Sequence, residues 1–241
     1  MKKRIFDLVL CVLTVIVWSP ALLLCATAIW LFEGRPILYI STRRVFRSQS
    51  LRLLKFRTMI KNAEKIVNRD TVPTQGVRFL NIPLDSPLYT RTGRIIEQCF
   101  LTELPQIFHV LKGGMSIIGN RPLPENVISA LKKLYPQTED RFLTKCGLTG
   151  PVQLVGREAL SDEDRLMLEI EYCRVCLYSY SLRLDFMILL YTVLIAVRIL
   201  KPCSISDVHH LLMKYAKHGL VSEERLKQQE QPMTVPVKKK A

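Results

Sequence analysis

Glu103 and Arg121 bracket the stretch of this chain with the strongest chemical character. It reads Leu101-Thr102-Glu103-Leu104-Pro105-Gln106 and continues to Leu111-Lys112-Gly113-Gly114-Met115-Ser116-Ile117-Ile118-Gly119-Asn120-Arg121-Pro122. A carboxylate at the positive end of a helix dipole, followed by a turn that carries an arginine, offers a metal-binding oxygen and a cation to one phosphorylated ligand. Thr102 adds a hydroxyl next to the carboxylate. The same residues also fit ordinary capping, with Thr102 as N-cap and Glu103 in the first turn, so residue type and spacing alone leave both readings open.

The element that must position Glu103 is written in Leu104, Ile107, Phe108 and Leu111, whose spacings of three and four describe one buried face of a short helix ending at Gly113-Gly114. Pro105 falls in its first turn, where backbone N–H groups lack intrahelical partners anyway. Upstream, Asp85-Ser86-Pro87 and Thr90-Arg91-Thr92-Gly93-Arg94 place an acid and two cations before this helix, in a Pro- and Gly-rich stretch from 68 to 93 that reads as loop with short strands. Turn chemistry explains Asp85 and its neighbours equally well. Downstream, residues 147 to 157 read as a short strand between glycine-rich turns, with Arg157 able to reach an anion. Ser161 and Asp164 form a capping pattern for a helix whose Leu166, Ile170, Cys173 and Leu177 share a face.

The chain has 241 residues, 49% of them hydrophobic, which excludes a mainly disordered protein, and a formal net charge of +14 that requires an anionic partner. Nucleic acid, an anionic membrane surface and phosphorylated substrates are the three classes to weigh. No aromatic platform or recognition motif accompanies the cations, so nucleic acid is set aside. The seven cysteines are scattered and odd in number, which argues against a disulfide framework and for a reducing compartment. Cys173 and Cys176 read as packing thiols on one helix face, and His109 as a packed side chain. His209, His210 and His218 lack the spacing of a metal site, and there are no internal repeats or glycine-rich phosphate loops.

Before all this lies a run from Leu8 to Phe32 without a charge, about 25 residues and long enough to enter a bilayer core. Its length and the lack of a small-residue cleavage site argue against a signal peptide. Ser19-Pro20 sits mid-run, where proline removes a backbone donor and breaks or kinks the helix. Lys2, Lys3 and Arg4 precede the run, and Arg35, Arg43, Arg44, Arg47, Arg52, Lys55 and Arg57 follow it. The positive-inside rule wants both flanks on one side, which favours a re-entrant hairpin turning at Ser19-Pro20 over a kinked spanning helix. Lys55 and Arg57, in a basic amphipathic stretch with Leu51, Leu53, Leu54 and Phe56, are expected at headgroup level. Phe186 to Val197 is too short to span and packs in the core or at the interface. From Lys201 the pattern decays, and the tail ends in a mobile, membrane-attracted Lys238-Lys239-Lys240.

With these pieces placed, the first 200 or so residues resemble the bacterial sugar transferases of the monotopic phosphoglycosyl transferase family, in a small form. The likeness runs through Arg4-Ile5-Phe6-Asp7, Ser19-Pro20, Lys55-Phe56-Arg57-Thr58-Met59, Thr90-Arg91-Thr92-Gly93-Arg94, Glu103-Leu104-Pro105-Gln106, Val110-Leu111-Lys112-Gly113, Met115-Ser116, Arg121-Pro122-Leu123, Leu148-Thr149-Gly150 and Gly156-Arg157. The resemblance implies transfer of a sugar 1-phosphate from a UDP-sugar to polyprenyl phosphate, the first membrane step of surface glycan assembly, through a covalent intermediate on an Asp-Glu dyad with Mg²⁺. It implies an α+β, helix-rich fold: a re-entrant membrane hairpin over 1–32, a cytoplasmic domain over 33–200 with interfacial amphipathic helices and short strands, and a partly disordered extension over 201–241. The location implied is the inner membrane, facing the cytoplasm, and a homodimer is left open.

The departures bear on the chemistry. The family's dyad aspartate falls on Thr102, an arginine five residues earlier on Glu97, the first proline of Pro-Arg-Pro on Asn120, and an arginine after Asp-x-Pro on Leu88. A threonine hydroxyl needs a base before it can attack, where a carboxylate does not. The metal role carries over to Glu103 and a phosphate or uridine contact to Arg121. Asp85, Arg91, Arg94, Lys112 and Arg157 complete the expected substrate-binding set, and Glu103 and Thr102 the catalytic one. The alternative is an inactive relative that serves as a membrane-surface binding or scaffold protein.

Overall fold

A computed structural model describes residues 2–63, 84–155 and 160–216. The described chain is helix-rich, with two small two-stranded sheets. Helices α1 (Lys2–Leu13) and α2 (Val15–Glu33) lead into an antiparallel hairpin of β1 (Leu38–Phe46) and β2 (Gln49–Phe56). Then come α3 (Arg91–Gln98), a 3₁₀ turn (Leu104–Gln106) running into α4 (Ile107–Leu111), and β3 (Ser116–Ile118). After α5 (Glu125–Leu134) and a 3₁₀ segment (Pro136–Phe142), β4 (Gly147–Thr149) pairs parallel to β3, with Ser116 opposite Gly147 and Ile118 opposite Thr149. Helices α6 (Pro151–Val155), α7 (Asp162–Ser179), α8 (Leu182–Ala196) and α9 (Ile205–Tyr215) complete the described fold.

One core gathers Leu53 of β2, Val110 of α4, Ile118, Ile128 of α5, Phe142, Leu154, Tyr172 of α7, Leu184 and Ile188 of α8, and Val208 and Leu212 of α9. Helix α9 therefore extends the packed body beyond Lys201, where the sequence pattern decays. Its start is fixed by a capping box in which Ser204 Oγ accepts from Asp207 N while Asp207 accepts from Ser204 N. The lysine-rich tail and Arg157 lie outside the described residues.

The basic amphipathic stretch over residues 51–56 is a strand, part of β2. Leu51 and Leu53 alternate with Arg52 and Leu54, a period-two pattern that buries Leu53 completely. The strand at 147–157 is also shorter than expected, because Gly150-Pro151 starts α6, and proline is pre-set for a first helical position. Thr102 is not an N-cap, since its hydroxyl turns back to Glu97 and a 3₁₀ turn opens the next helix. The expected start of α7 stands, with Ser161 Oγ accepting from Asp164 N at 3.0 Å.

The apolar run is split at Thr14 between the end of α1 and the whole of α2, and α2 passes through Pro20 without stopping, so the break lies at Thr14 and not at Ser19-Pro20. Ser19 Oγ donates to Val15 O at 2.7 Å, and Thr14 Oγ1 donates to Leu10 O at 2.7 Å where α1 ends. Trp18 Nε1 reaches across the break to Cys11 O at 2.9 Å. Among the described residues α2 is the one helix long and apolar enough to cross a membrane, and only 11% of its apolar window is buried. Ile16, Val17, Leu23, Leu24, Leu31 and Phe32 are all exposed.

The charged first turn of α1 is locked into the body. Arg4 donates to Val110 O and Leu111 O, satisfying carbonyls at the C-terminal end of α4. Asp7, 3% exposed, accepts from Ser116 Oγ and Ile117 N, both at 3.0 Å. Lys3 Nζ meets the fully buried Asp185 of α8 at 2.6 Å, and the Tyr172 and Tyr180 hydroxyls donate to that carboxylate.

Candidate active site

The site is assembled where the end of β2, the turn after α3 and the turn after β3 meet. Thr90 caps α3 by accepting from Gly93 N at 3.0 Å. Gly93 is required by closeness, because a Cβ there would sit 2.0 Å from Thr58 O. Helix α3 ends in a left-handed turn: Phe100 has φ +59°, and Leu101 N donates to Ile96 O at 3.0 Å. The chain then doubles back, and Phe56 N donates to Thr102 O at 2.9 Å, which pins the end of β2 to the turn bearing Thr102 and Glu103.

From the other side, Asn120 anchors the turn after β3. It is 2% exposed, and its Nδ2 donates to Arg141 O and Glu169 O, each at 2.9 Å. The Arg141 guanidinium, itself paired with the buried Glu169, donates to Arg121 O at 2.9 Å. With its backbone held this way, Arg121 points a planar fork at Glu103. Nη2 lies 2.6 Å from Oε1 and Nη1 lies 3.2 Å from Oε2. Lys55 Nζ meets the same Oε1 at 2.8 Å.

Two cations on Glu103 leave that trio net positive, Glu97 beside Thr102 offsets one charge, and Arg43 adds to the positive field at Lys55. Burial pulls the Lys55 ammonium down to about 8, opposed by Glu103 and reinforced by Arg121 and Arg43. Thr102 Oγ1 donates to Glu97 Oε2 at 2.5 Å, so the hydroxyl beside Glu103 has a carboxylate partner of its own. His109 spends Nε2 on Leu54 N at 3.4 Å, and burial lowers its proton affinity. It is a packed side chain, as its lack of partners in sequence suggests.

The other expected residues spread around this centre. Arg94 donates to Ser86 O at 3.2 Å and Asp85 O at 3.5 Å, holding the turn before α3, while Asp85 and Arg91 are exposed there. Lys112 is exposed at the far end of α4, across the 3₁₀ turn and the whole of that helix from Glu103. Arg57 is 7% exposed and closes the end of α2, donating to Glu33 O and Gly34 O at 3.0 Å. Lys55 and Arg57 thus direct their charge into the protein, and Ser19 and Pro20 lie on α2. Sequence reasoning missed Lys55 and Glu97 as members of the cluster. Recognising 49–56 as a strand ending beside Thr102 would have found the first, and the exchange of character between positions 97 and 102 signals the second.

A second apolar cluster ties α2 to this site. Cys25 and Ile29 pack with Phe56 and Ile96, and Leu101 and Leu104 close over them. The residues flanking Thr102 and Glu103 therefore rest directly on the apolar helix.

Comparison with known proteins gives the same direction. The family model described as bacterial sugar transferase matches residues 1–199. The chain is 29% identical over 197 residues to the exopolysaccharide production protein ExoY of Sinorhizobium fredii, covering 80% of this chain and 84% of that one. It is 32% identical over 192 residues to the uncharacterized sugar transferase EpsL of Bacillus subtilis, covering 79% and 85%. It is 31% identical over 190 residues to the UDP-glucose:undecaprenyl-phosphate glucose-1-phosphate transferase of Escherichia coli, covering 77% of this chain and 39% of that longer protein. With the family match spanning most of its length and a clamped carboxylate at the centre of the site, the chain belongs to the bacterial sugar transferases.

Proposed function

We propose that this protein transfers a sugar 1-phosphate from a UDP-sugar to polyprenyl phosphate, the first membrane step in building a surface glycan. The observation that carries the reading is Glu103 held between Lys55 and Arg121 directly above the apolar helix α2. The relatives' names support it, among them undecaprenyl-phosphate transferases for glucose and N-acetylgalactosamine. A net-positive cluster attracts a diphosphate, and the forked guanidinium of Arg121 suits phosphate oxygens as well as it suits the carboxylate. An exposed apolar face beside it suits a polyprenyl chain.

The protein's residues then do what phosphoryl transfer asks of a fixed site. Arg121 and Lys55 turn from Glu103 toward the diphosphate oxygens and hold them as charge shifts to the leaving phosphate. Buried Asn120 and Arg141 keep the backbone of Arg121 in place, so little reorganisation accompanies the chemistry. The carboxylate of the site suits Mg²⁺ only in the mode of one or two carboxylates plus substrate phosphates. Glu103 is the residue that would hold it. When bound, the ion supplies charge neutralisation at the diphosphate.

The apolar segment enters and leaves the inner membrane from the cytoplasmic side in this reading. Arg4 at its start is tied to α4 and Glu33 at its end is tied to Arg57, both on the same globular body. A straight span would put those ends on opposite faces. The test is release of UMP by full-length protein in detergent with polyprenyl phosphate and UDP-glucose, UDP-galactose or UDP-N-acetylgalactosamine. Native protein should release UMP with at least one donor. Glu103→Gln should lower the rate by about 100-fold or more, the scale seen when one charge-stabilising group is removed. A Glu103→Gln protein with the native rate would contradict the assignment.

A further inference from the structure

We infer that Arg43 is a further catalytic residue of the transfer, the cation that receives the negative charge appearing on the departing UMP phosphate, and that Ser41 is the positioning residue that aims it. The inference rests on the transferase reading and assigns the leaving-group end of that same site. A cation already fixed where charge develops needs no rearrangement at the moment of reaction, which is why such groups lower a barrier strongly.

The register of the β1–β2 hairpin carries the argument. Tyr39, Ser41 and Arg43 of β1 lie opposite Lys55, Leu53 and Leu51 of β2, and residues paired this way share one face of a sheet. Because this face holds the fully buried Leu53 and the Lys55 that meets Glu103, Arg43 stands on the same side of the sheet as the Glu103 cluster. Arg43 Nε donates to Ser41 Oγ at 3.3 Å, which leans the side chain back along β1 toward the end where Tyr39 faces Lys55. The guanidinium comes close enough to help lower the proton affinity of the Lys55 ammonium, as Arg121 does. Neighbouring cations of the hairpin are directed elsewhere. Arg44 pairs with Glu125 and Glu139, Arg52 lies opposite Thr42 on the other face, and Arg57 closes the end of α2.

Order along the sheet assigns the two ends of the diphosphate. Phe56 N is pinned to Thr102 O, Lys55 meets Glu103, and Arg43 lies beyond Lys55 on the side away from that turn. The sugar-bearing phosphoryl accordingly sits by Glu103, Lys55 and Arg121, and the uridine-bearing phosphoryl by Arg43. In the overall transfer an oxygen of polyprenyl phosphate replaces UMP on the sugar-bearing phosphorus. The bond from that phosphorus to the bridging oxygen breaks, its electron pair stays on the bridging oxygen, and UMP leaves carrying that added charge. No proton has to move. The planar fork of a guanidinium suits two oxygens of the departing phosphate better than an ammonium does.

The test is steady-state kinetics of the full chain in detergent with polyprenyl phosphate and UDP-glucose, UDP-galactose or UDP-N-acetylgalactosamine, with UMP added as product inhibitor. Arg43→Gln should lower kcat by about 100-fold, the scale for loss of one group that stabilises developing charge. It should raise the UMP inhibition constant by about 10-fold, as loss of a charge-assisted hydrogen bond does, with the KM for polyprenyl phosphate unchanged. Arg43→Lys should recover part of both losses. Ser41→Ala, which leaves the cation in place, should raise the UMP inhibition constant by about 5-fold, and Ser41→Thr should restore it. A UMP inhibition constant that stays native in both Arg43 variants would overturn the inference and leave the transferase reading standing. So would a rise confined to the KM for polyprenyl phosphate, which would give Arg43 to the lipid phosphate. Absence of UMP release by native protein with every donor would remove both readings.

Discussion

Lys55 is the residue whose charge state the site most depends on. Its ammonium lies against Glu103 with Arg121 and Arg43 nearby, and burial brings its proton affinity down to about 8. Because the folded value is below the ordinary 10.5, the folded chain releases this proton first as pH rises. Lys55 therefore adds stability with rising pH between about 8 and 10.5, while its charge, and with it the pull on a diphosphate, fades over the same window. The KM for the UDP-sugar should accordingly rise as pH passes from 7 to 9. Lys55→Arg should flatten that rise, since a guanidinium stays charged throughout. An unchanged alkaline rise in the Arg variant would assign the titration to another group. Asn120 shows the reverse case, an uncharged and buried residue that fixes the turn bearing Arg121 through bonds to Arg141 O and Glu169 O.

At the scale of elements, α1 is held by polar contacts that its amphipathic pattern conceals. Asp7 accepts from Ser116 Oγ and Ile117 N in the interior, so Asp7→Ala would strand two buried donors. Urea unfolding should show a loss of about 1–3 kcal/mol, and a change below 0.5 kcal/mol would mean that α1 is not docked this way. The start of α7 and the stop after α4 were legible because Ser161, Asp164 and Gly113 act locally. The β1–β2 hairpin was not legible as a pair, because its leucines and arginines read only as a basic amphipathic stretch until cross-strand pairs such as Leu38 with Phe56 set the register. The β3–β4 pair joins Ser116 to Gly147 across α5, a partnership that no local pattern announces. Glu103 and Arg121 were legible as site residues from type and spacing. Lys55 and Glu97 were not, because their roles arise only when β2 and α3 converge on Thr102.

Across the whole molecule, an apolar helix and a cationic cluster share one edge of the fold. The site turn rests on Cys25 and Ile29 of α2, while the outer face of that helix leaves Ile16, Leu24 and Phe32 uncovered. In the proposed transferase this layout sets the cationic cluster beside the segment that would meet the bilayer, and the net charge of +14 suits the same anionic surface. The most direct test follows the phosphorus itself. Full-length protein in vesicles containing polyprenyl phosphate would be given UDP-glucose, UDP-galactose or UDP-N-acetylgalactosamine labelled with ³²P in the phosphate that bears the sugar. The account predicts that, with at least one donor, the label moves into the lipid fraction while unlabelled UMP appears in the aqueous phase. Label that stays in the aqueous phase with every donor, from protein that is folded and membrane-bound, would contradict it.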